Sequence, residues 1–382
     1  MAPESDLLAA LGAVEEPVLG VSIGDLGMVR DVGFSKGTAT VTVALVLPPD
    51  WSEVELRQRI TSTLASLPDV SRAEIETRSM SDDELKQAAA VLKGDPPPDP
   101  LKLVDASQAG HGETRTRSNP FTDSSTRVIA VASGKGGVGK SSVTTNLAIA
   151  LARRGKSVAA VDADVWGFSM PRMLGVTHPP ALVDDVIVPP GAHGVRLVSM
   201  GFFAREDQAV VWRGPMLHKA LEQFLTDVHW GEPDYLLVDM PPGTGDVSIS
   251  IAQFLPRAEV IVVTTPQPAA QKVAQRAAAM AEKVNLPVLG VIENMSWFVG
   301  DDGTRYEIFG SGGGEALSTE LGVPLLGRIP LVPALREGGD DGRPIVAVDP
   351  TSEAALAFTA IAERIDVELA PTRVYRTELK LT

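Results

Sequence analysis

The sequence predicts an α/β protein in which a large domain with a mainly parallel sheet follows a small α+β domain. From residue 128 to about residue 366, short runs rich in Val, Ile and Leu alternate with stretches of helical spacing, which is typical of parallel strands buried on both faces. The segment before residue 94 mixes helical and strand-like patterns over a shorter length. A Pro-rich and then polar stretch separates them. We therefore expect a small domain over residues 1–93, a flexible linker over 94–127, the large domain over 128–366 and a tail over 367–382.

Composition limits the classes of partner. The chain has 382 residues, 44% of them hydrophobic, which is enough for two domains with cores of their own. The net charge of −15 argues against broad binding to nucleic acid or to an anionic membrane. There is no apolar run of membrane-spanning length and no signal-peptide pattern, so we expect a soluble, cytoplasmic protein. The chain contains no cysteine, which excludes disulfides and thiolate metal ligands.

Four elements predict the small domain. Residues 6–13 have helical spacing, and residues 38–47 are β-branched and partly alternating, as in a strand. Residues 54–67 should form a second helix and residues 71–77 a second strand. The second helix carries an apolar stripe for the core, made of Leu56, Ile60, Leu64 and Leu67.

Short apolar runs also predict the strands of the large domain. Each run lies between helical stretches, as expected for crossover connections in a parallel sheet. The seven predicted strands are residues 128–132, 158–161, 196–199, 235–238, 260–264, 288–292 and 324–329.

A glycine-rich loop follows the first of these strands. Residues 133–142 read SGKGGVGKSS, which fits G-x-x-x-x-G-K-[ST], and residues 143–154 have helical spacing. Lys140 would reach the β- and γ-phosphates of a nucleotide, and the Ser141 hydroxyl would coordinate Mg²⁺. A chance glycine turn before a helix is the alternative, but the strand and helix on either side favour a nucleotide site. The residues expected to bind the nucleotide are Gly134, Lys135, Gly136, Gly137, Val138, Gly139, Lys140, Ser141 and Ser142.

Lys135 is a further feature of this loop. A lysine directly after the first glycine gives K-G-G-x-G-K-[ST], the pattern of the deviant Walker A ATPases. Resemblance to that class implies that Lys135 reaches across a homodimer to the nucleotide of the partner. The alternative is a solvated loop cation.

Acidic residues end two of the predicted strands. Asp239 closes the run YLLVD at the sheet edge where ligands bind in open α/β folds, and a carboxylate there can hold Mg²⁺ through water. Asp162 and Asp164 follow the strand over residues 158–161. One of this pair can support the Mg²⁺ shell while the other polarises the attacking water. A strand-terminal Asp that caps a turn is the alternative.

Asn294 closes another strand. Its amide has the paired donor and acceptor needed to read the edge of an adenine. Taken alone, Asn294 would more simply be a turn residue, but the neighbouring ATPase motifs favour the adenine role.

Taken together and in this order, the motifs resemble the Mrp/ApbC family of P-loop ATPases, which are iron–sulfur cluster carriers. The matching stretches are GKGGVGKSSVTTNLA, DADVWGFSMPRMLG, WRGPM, DYLLVDMPPGTGD, TTPQPAA, ENMSWF and IFGSGGG. Residues 14–29 are similar to the small SufT/PaaD-like domain that bacterial members often carry. The resemblance implies homodimers that use ATP and Mg²⁺ and that work with apoprotein clients or Fe–S assembly proteins. It assigns catalysis to Lys135, Lys140 and Asp164, metal binding to Ser141 and Asp239, and adenine to Asn294; we add Asp162 to the metal set.

The expected cluster site departs from the family pattern. Family carriers place a C-x-x-C pair just after the N-M-S segment, whereas residues 297–308 here read WFVGDDGTRYEI. Two β-prone runs flank Gly-Asp-Asp-Gly, which predicts a hairpin turn. Asp301 and Asp302 are hard ligands that suit Fe–S clusters poorly. Any cluster is therefore implied by the resemblance alone, without cysteine ligands.

Two functional hypotheses remain open. The first is an ATPase that carries Fe–S clusters or assists their assembly, and the second is an ATP-driven dimerisation switch that recruits a protein partner and holds no cluster itself. A partitioning or cell-division ATPase would need a basic DNA-binding face or an amphipathic tail, and neither is visible. A hydride-transfer enzyme is disfavoured because the glycine loop fits a triphosphate rather than a dinucleotide.

Overall fold

The computed structural model describes residues 4–94 and 119–371, apart from residues 123, 166, 204–213, 244–245 and 370. Most of the predicted linker over residues 94–127 and of the predicted tail over 367–382 lies outside the described residues. The chain divides into two compact units. The first holds the residues before 118 together with Pro180–Pro189 and Asp227–Gly231, and the second holds the remainder.

The helices and strands follow in chain order. Before residue 118 they are α1 (Glu4–Gly12), β1 (Val29–Ser35), β2 (Thr38–Leu45), α2 (Pro49–Ala65), β3 (Arg72–Ser79) and α3 (Asp82–Leu92). From residue 119 onward they are β4 (Arg127–Ser133), α4 (Lys140–Arg153), β5 (Val158–Asp162), α5 (Met170–Leu174), β6 (Ala181–Val183), β7 (Val186–Val188), β8 (Gly191–Ala192), β9 (Val195–Ser199), α6 (Gly214–Thr226), β10 (Tyr235–Asp239), α7 (Asp246–Phe254), β11 (Glu259–Thr264), α8 (Pro268–Lys283), β12 (Val288–Glu293), β13 (Phe298–Val299), β14 (Arg305–Tyr306), α9 (Gly313–Leu321), β15 (Leu325–Arg328), α10 (Pro333–Asp340), α11 (Ile345–Val348) and α12 (Glu353–Glu363).

The first unit has a three-stranded sheet in the order β1-β2-β3. β1 pairs antiparallel with β2, and β3 pairs parallel with it. The predicted stripe on α2 is largely confirmed, since Leu56, Ile60 and Leu64 are at most 1% exposed. The sequence patterns missed β1 and α3. β1 has a mixed burial pattern without clear alternation, and α3 begins with a capping box between Ser81 and Glu84.

Two segments join this unit from far along the chain. The predicted boundaries place Pro180–Pro189 and Asp227–Gly231 in the large domain, whereas in the structure both pack with the first unit. The physical reason is apolar burial, because Val183, Val186 and Val188 belong to the same hydrophobic cluster as Leu7 and its neighbours.

The second unit is built on an eight-stranded sheet in the order β15-β12-β11-β4-β10-β5-β9-β8. All pairs are parallel except β8 with β9. Every predicted strand of the large domain is present, so the predicted fold class is confirmed. Asp239 at the end of β10 pairs in register with Asp162 at the end of β5, which brings both carboxylates to one edge of the sheet.

Among the described residues, no helix is both long enough and apolar enough to cross a bilayer.

Candidate active site

The glycine-rich loop connects β4 to α4 in the second unit. Gly137 and Gly139 have φ angles of +79° and +78°, a region that side-chain-bearing residues rarely adopt, so glycine at both positions lets the loop fold without strain. The loop opens onto a cavity of about 560 Å³. Its lining includes every predicted loop residue except Gly134, together with Asp164. A Cβ on Gly134 would lie 2.2 Å from the backbone of Val273 in α8, so this glycine permits close packing of the loop on the helix.

Lys140 forms a buried ion pair with Asp239. Its Nζ lies 2.6 Å from Oδ2 of Asp239, and both residues are at most 6% exposed. The Ser141 hydroxyl donates to the same oxygen at 2.6 Å, and Thr144 Oγ1 donates to Oδ1 at 2.7 Å. The predicted phosphate-binding lysine is therefore in contact with two of the predicted metal ligands. Because Ser141 and Asp239 direct hard oxygens to one point, they suit Mg²⁺.

Asp162 accepts hydrogen bonds from the loop that follows it. Its Oδ1 accepts from the backbone N–H of Asp164 at 3.2 Å, and its Oδ2 accepts from the N–H groups of Ser169 and Met170 and from the Ser199 hydroxyl. Burial and the negative charge of Asp239 raise the pKa of Asp162 to about 7. These contacts make Asp162 the anchor of the loop that leads into α5, while its role as a metal ligand stays a prediction.

Asp164 lies within reach of the loop lysine. Its Oδ2 is 3.9 Å from Nζ of Lys140, and its Oδ1 accepts from the N–H of Gly167 at 3.1 Å. The residue is 7% exposed and lines the cavity. A carboxylate in this position can orient a water molecule beside the terminal phosphate of a bound nucleotide.

Lys135 contacts a residue of its own chain. Its Nζ donates to Oε1 of Gln267 at 3.2 Å, and Gln267 is the N-cap residue of α8. The lysine predicted to cross a dimer is thus bound to a neutral acceptor, which holds it less strongly than a carboxylate would.

Asn294 contacts the loop from the end of β12. Its Nδ2 donates to the carbonyl of Val138 at 2.8 Å, whereas its buried Oδ1 has no hydrogen-bond partner among the described residues. An unsatisfied amide acceptor suits the exocyclic amino group of adenine. Asn294 does not itself line the 560 Å³ cavity, so the adenine role stays a prediction.

The sequence patterns missed three contributors to this site. Thr144 lies one helical turn after Lys140, a spacing that could have revealed it. Gln267 gave no chemical signal of its own. Glu293 is 2% exposed and accepts from the Ser296 hydroxyl and from the N–H of Gly314, and these bonds fix the segment that carries Asn294.

The predicted turn over residues 300–303 is confirmed as part of a two-stranded hairpin of β13 and β14. Asp302 accepts from the backbone N–H and the hydroxyl of Thr304, and these bonds lower the pKa of its carboxyl. The Arg305 guanidinium lies 3.8 Å from the ring centroid of Trp297. No group of three or more metal-binding side chains occurs within the described ranges, and the whole sequence has no cysteine. The residues present do not fit an Fe–S cluster.

Comparison with known proteins places this geometry in a family. Residues 124–366 match the family described as NUBPL iron-transfer P-loop NTPase, and residues 4–77 match the family described as iron-sulfur cluster assembly protein. An iron-sulfur cluster carrier protein of Mycobacterium tuberculosis is 45% identical over 363 residues, which cover 93% of this chain and 91% of the relative.

Solved structures agree with this fold. A nucleotide-binding protein from Archaeoglobus fulgidus in complex with ADP is 34% identical, with a TM-score of 0.52 over 61% of this chain and 91% of that one. The septum site-determining protein MinD from Pyrococcus horikoshii, complexed with Mg-ADP, is 29% identical, with a TM-score of 0.50 over 64% of this chain and 97% of that one. The resemblance drawn from the motifs is confirmed, and the chain belongs to the NUBPL family of iron-transfer P-loop NTPases.

Proposed function

We propose that the chain is a Mg²⁺-dependent ATPase that works as a homodimer and assists the transfer of Fe–S clusters to apoproteins. The observation that carries the ATPase part is the convergence of Lys140, Ser141 and Asp239 at the mouth of the glycine-rich loop. The names of the relatives, which are iron-sulfur cluster carrier proteins, support the cargo.

Binding of ATP exchanges the partners of the loop residues. Lys140 leaves Asp239 for the β- and γ-phosphate oxygens, which frees Asp239 and Ser141 to hold Mg²⁺. Mg²⁺ held by Ser141 and Asp239 would supply charge neutralisation for the phosphates. The backbone N–H groups of the loop and the N-terminus of α4 bind the remaining phosphate oxygens.

Hydrolysis then needs a positioned water. The oxygen of that water attacks the γ-phosphorus while the bond from phosphorus to the β–γ bridging oxygen breaks, which yields ADP and phosphate. Asp164 orients the water and accepts its proton. Lys135 of each protomer leaves Gln267 and stabilises the charge that develops on the partner's nucleotide.

The cargo requires thiolates from another molecule. Because the chain has no cysteine, we propose that the cluster stays on ligands of an apoprotein client or of an assembly protein while the ATPase cycle controls the encounter. This proposal combines the two hypotheses of the sequence analysis: the chain is an ATP-driven dimerisation switch that holds no cluster itself, and the process that it assists is Fe–S cluster transfer.

The experiment is cluster transfer from a cluster-loaded scaffold protein to an apoprotein, followed by the absorbance of the acceptor. We expect this chain with MgATP to accelerate the transfer and its Lys140→Ala variant to give no acceleration. Equal rates with and without MgATP would contradict an ATP-driven role in transfer, and undetectable ATP hydrolysis by the parent would contradict the ATPase itself.

A further inference from the structure

A short hairpin belongs to the NTPase part of the chain by sequence but to the N-terminal unit by its contacts. β6 and β7 lie within residues 124–366, which match the NTPase family, yet they cluster with the N-terminal unit. The two strands pair in the register Ala181 with Val188 and Val183 with Val186. Asp184 in the turn has a φ of +55°, as tight two-residue hairpin turns require. We call β6, β7 and their turn the inserted hairpin.

One face of the inserted hairpin is apolar and buried. Val183, Val186 and Val188 are 0%, 4% and 1% exposed, and they share a hydrophobic cluster with the core of the first unit. Leu182 points the other way and is 68% exposed. This alternation is that of a strand with one face against a core, and the core is supplied by residues from the other end of the sequence.

Polar contacts accompany this burial. Lys93, at the C-cap of α3, forms ion pairs with both turn residues, Asp185 and, at 4.0 Å, Asp184. Across the unit, Nε2 of His229 lies 3.4 Å from the carbonyl oxygen of Leu19.

The segment Asp227–Gly231 extends the inserted hairpin. The N–H of Ile187 donates to the carbonyl of Asp227 at 2.9 Å, and the N–H of His229 donates to the carbonyl of Ile187 at 2.8 Å. Trp230 in this segment is 1% exposed. The two segments therefore bind each other through their backbones.

We propose that the inserted hairpin and the segment Asp227–Gly231 form a docking arm, through which the NTPase part of the chain binds its own N-terminal domain. The connection is non-covalent and does not depend on residues 95–118. Apolar burial supplies its affinity, and the Lys93 ion pairs add orientation. The arm follows α5 in sequence, and residues 175–180 join the two.

The test asks whether the two parts of the 382-residue chain stay associated after the chain is cleaved between them. A site-specific protease sequence is inserted within residues 95–118, the purified protein is cleaved, and the fragments are separated by gel filtration at micromolar concentration. We expect the N-terminal fragment to co-elute with the NTPase fragment. Fragments that separate in the parent chain would overturn the proposal.

Matched variants locate the contact. Val183→Asp with Val186→Asp puts two carboxylates into the apolar core and should weaken the association at least about 100-fold. Leu182→Asp, on the exposed face of the same hairpin, should leave it unchanged. Co-elution that persists in the double variant, or release by Leu182→Asp, would contradict the assignment.

A change on the other side of the contact avoids any effect on the NTPase fold. Lys93→Glu reverses the charge that faces Asp184 and Asp185 and should weaken the association by about 3- to 10-fold at low salt, with a smaller effect at high salt. Titration of one cleaved fragment with the other measures this change, and an affinity equal to that of the parent at low salt would argue against the arm.

Discussion

At the scale of single residues, the site is held together by one carboxylate. Asp239 accepts hydrogen bonds from Lys140, Ser141 and Thr144, all within 2.7 Å. Three donors satisfy this carboxylate, which is 0% exposed. On the proposed mechanism, binding of Mg-ATP would exchange the partners within this network.

The first prediction concerns Lys140. Lys140→Ala removes the cation that we propose contacts the β- and γ-phosphates, so hydrolysis should fall at least about 100-fold and nucleotide binding should weaken. Phosphate release and titration with a fluorescent ATP analogue measure the two effects. Lys283→Ala, at an exposed position on α8, is the control and should behave like the parent. Normal turnover in the Lys140 variant would show that the glycine-rich loop does not take part in ATP hydrolysis as proposed.

The second prediction separates binding from turnover at Lys135. Lys135→Ala should keep most of the ATP affinity and lose at least about 100-fold in turnover, because the proposed target of this lysine is the partner's nucleotide. Gln267→Ala removes only the acceptor that holds Lys135 in its own protomer, and it should retain hydrolysis. Steady-state rates for both variants check this. A Lys135→Ala variant that hydrolyses ATP like the parent would show that the assignment across the dimer is wrong.

At the scale of elements, caps and turns determine where each segment begins. α3 starts with Ser81 as N-cap, whose side chain accepts from the N–H of Glu84, while Glu84 accepts from the N–H of Ser81. Arg78 and Ser81 hold the pKa of the Glu84 carboxyl well below its usual range. This start signal lies in the sequence as S-D-D-E, although the helix was not predicted.

The third prediction concerns that cap. Ser81→Ala should lower the free energy of unfolding of the first unit by about 1 kcal/mol, because one backbone donor at the start of α3 loses its acceptor. Chemical denaturation followed by circular dichroism measures this change. Ser62→Ala, at an exposed position inside α2, should cause no loss, since alanine favours helices more than serine does. Equal stability of the Ser81 variant and the parent would mean that the cap contributes nothing.

The sequence predicts the features that depend on residues close together in the chain and misses those that depend on remote contacts. The glycine loop, the carboxylates at strand ends and the seven buried strands each follow from nearby residues, and all appear in the structure. Gln267 and the inserted hairpin could not be found in this way. Lys135 is contacted by Gln267, which caps a helix far along the chain, and the valines of the hairpin are buried by partners that all lie before residue 93. Contacts between remote segments leave no periodic signal.

At the scale of the whole molecule, the absence of cysteine bears on whether the chain itself can hold an Fe–S cluster. The family relatives are named iron-sulfur cluster carrier proteins, while this chain has no thiolate to offer and has a closed hairpin in the expected position. On the proposed function, cluster transfer would depend on ligands that other molecules contribute.

The fourth prediction follows from that absence. The purified protein should hold no stoichiometric iron or sulfide after anaerobic reconstitution, and Asp301→Ala with Asp302→Ala should leave ATP hydrolysis and metal content unchanged. Metal and sulfide analysis with visible absorbance are the measurements. Stoichiometric iron and sulfide, with charge-transfer absorbance that disappears in the double variant, would restore a direct carrier role.

The docking arm also bears on how the protein is made. Synthesis proceeds from the N-terminus, so residues 4–94 leave the ribosome well before residue 189. At about 5 to 20 residues per second, the N-terminal domain waits roughly 5 to 20 s for the valines that complete its core. During that interval the apolar residues that these valines cover lack their partners, and a gene fragment that stops at residue 94 would lack them permanently.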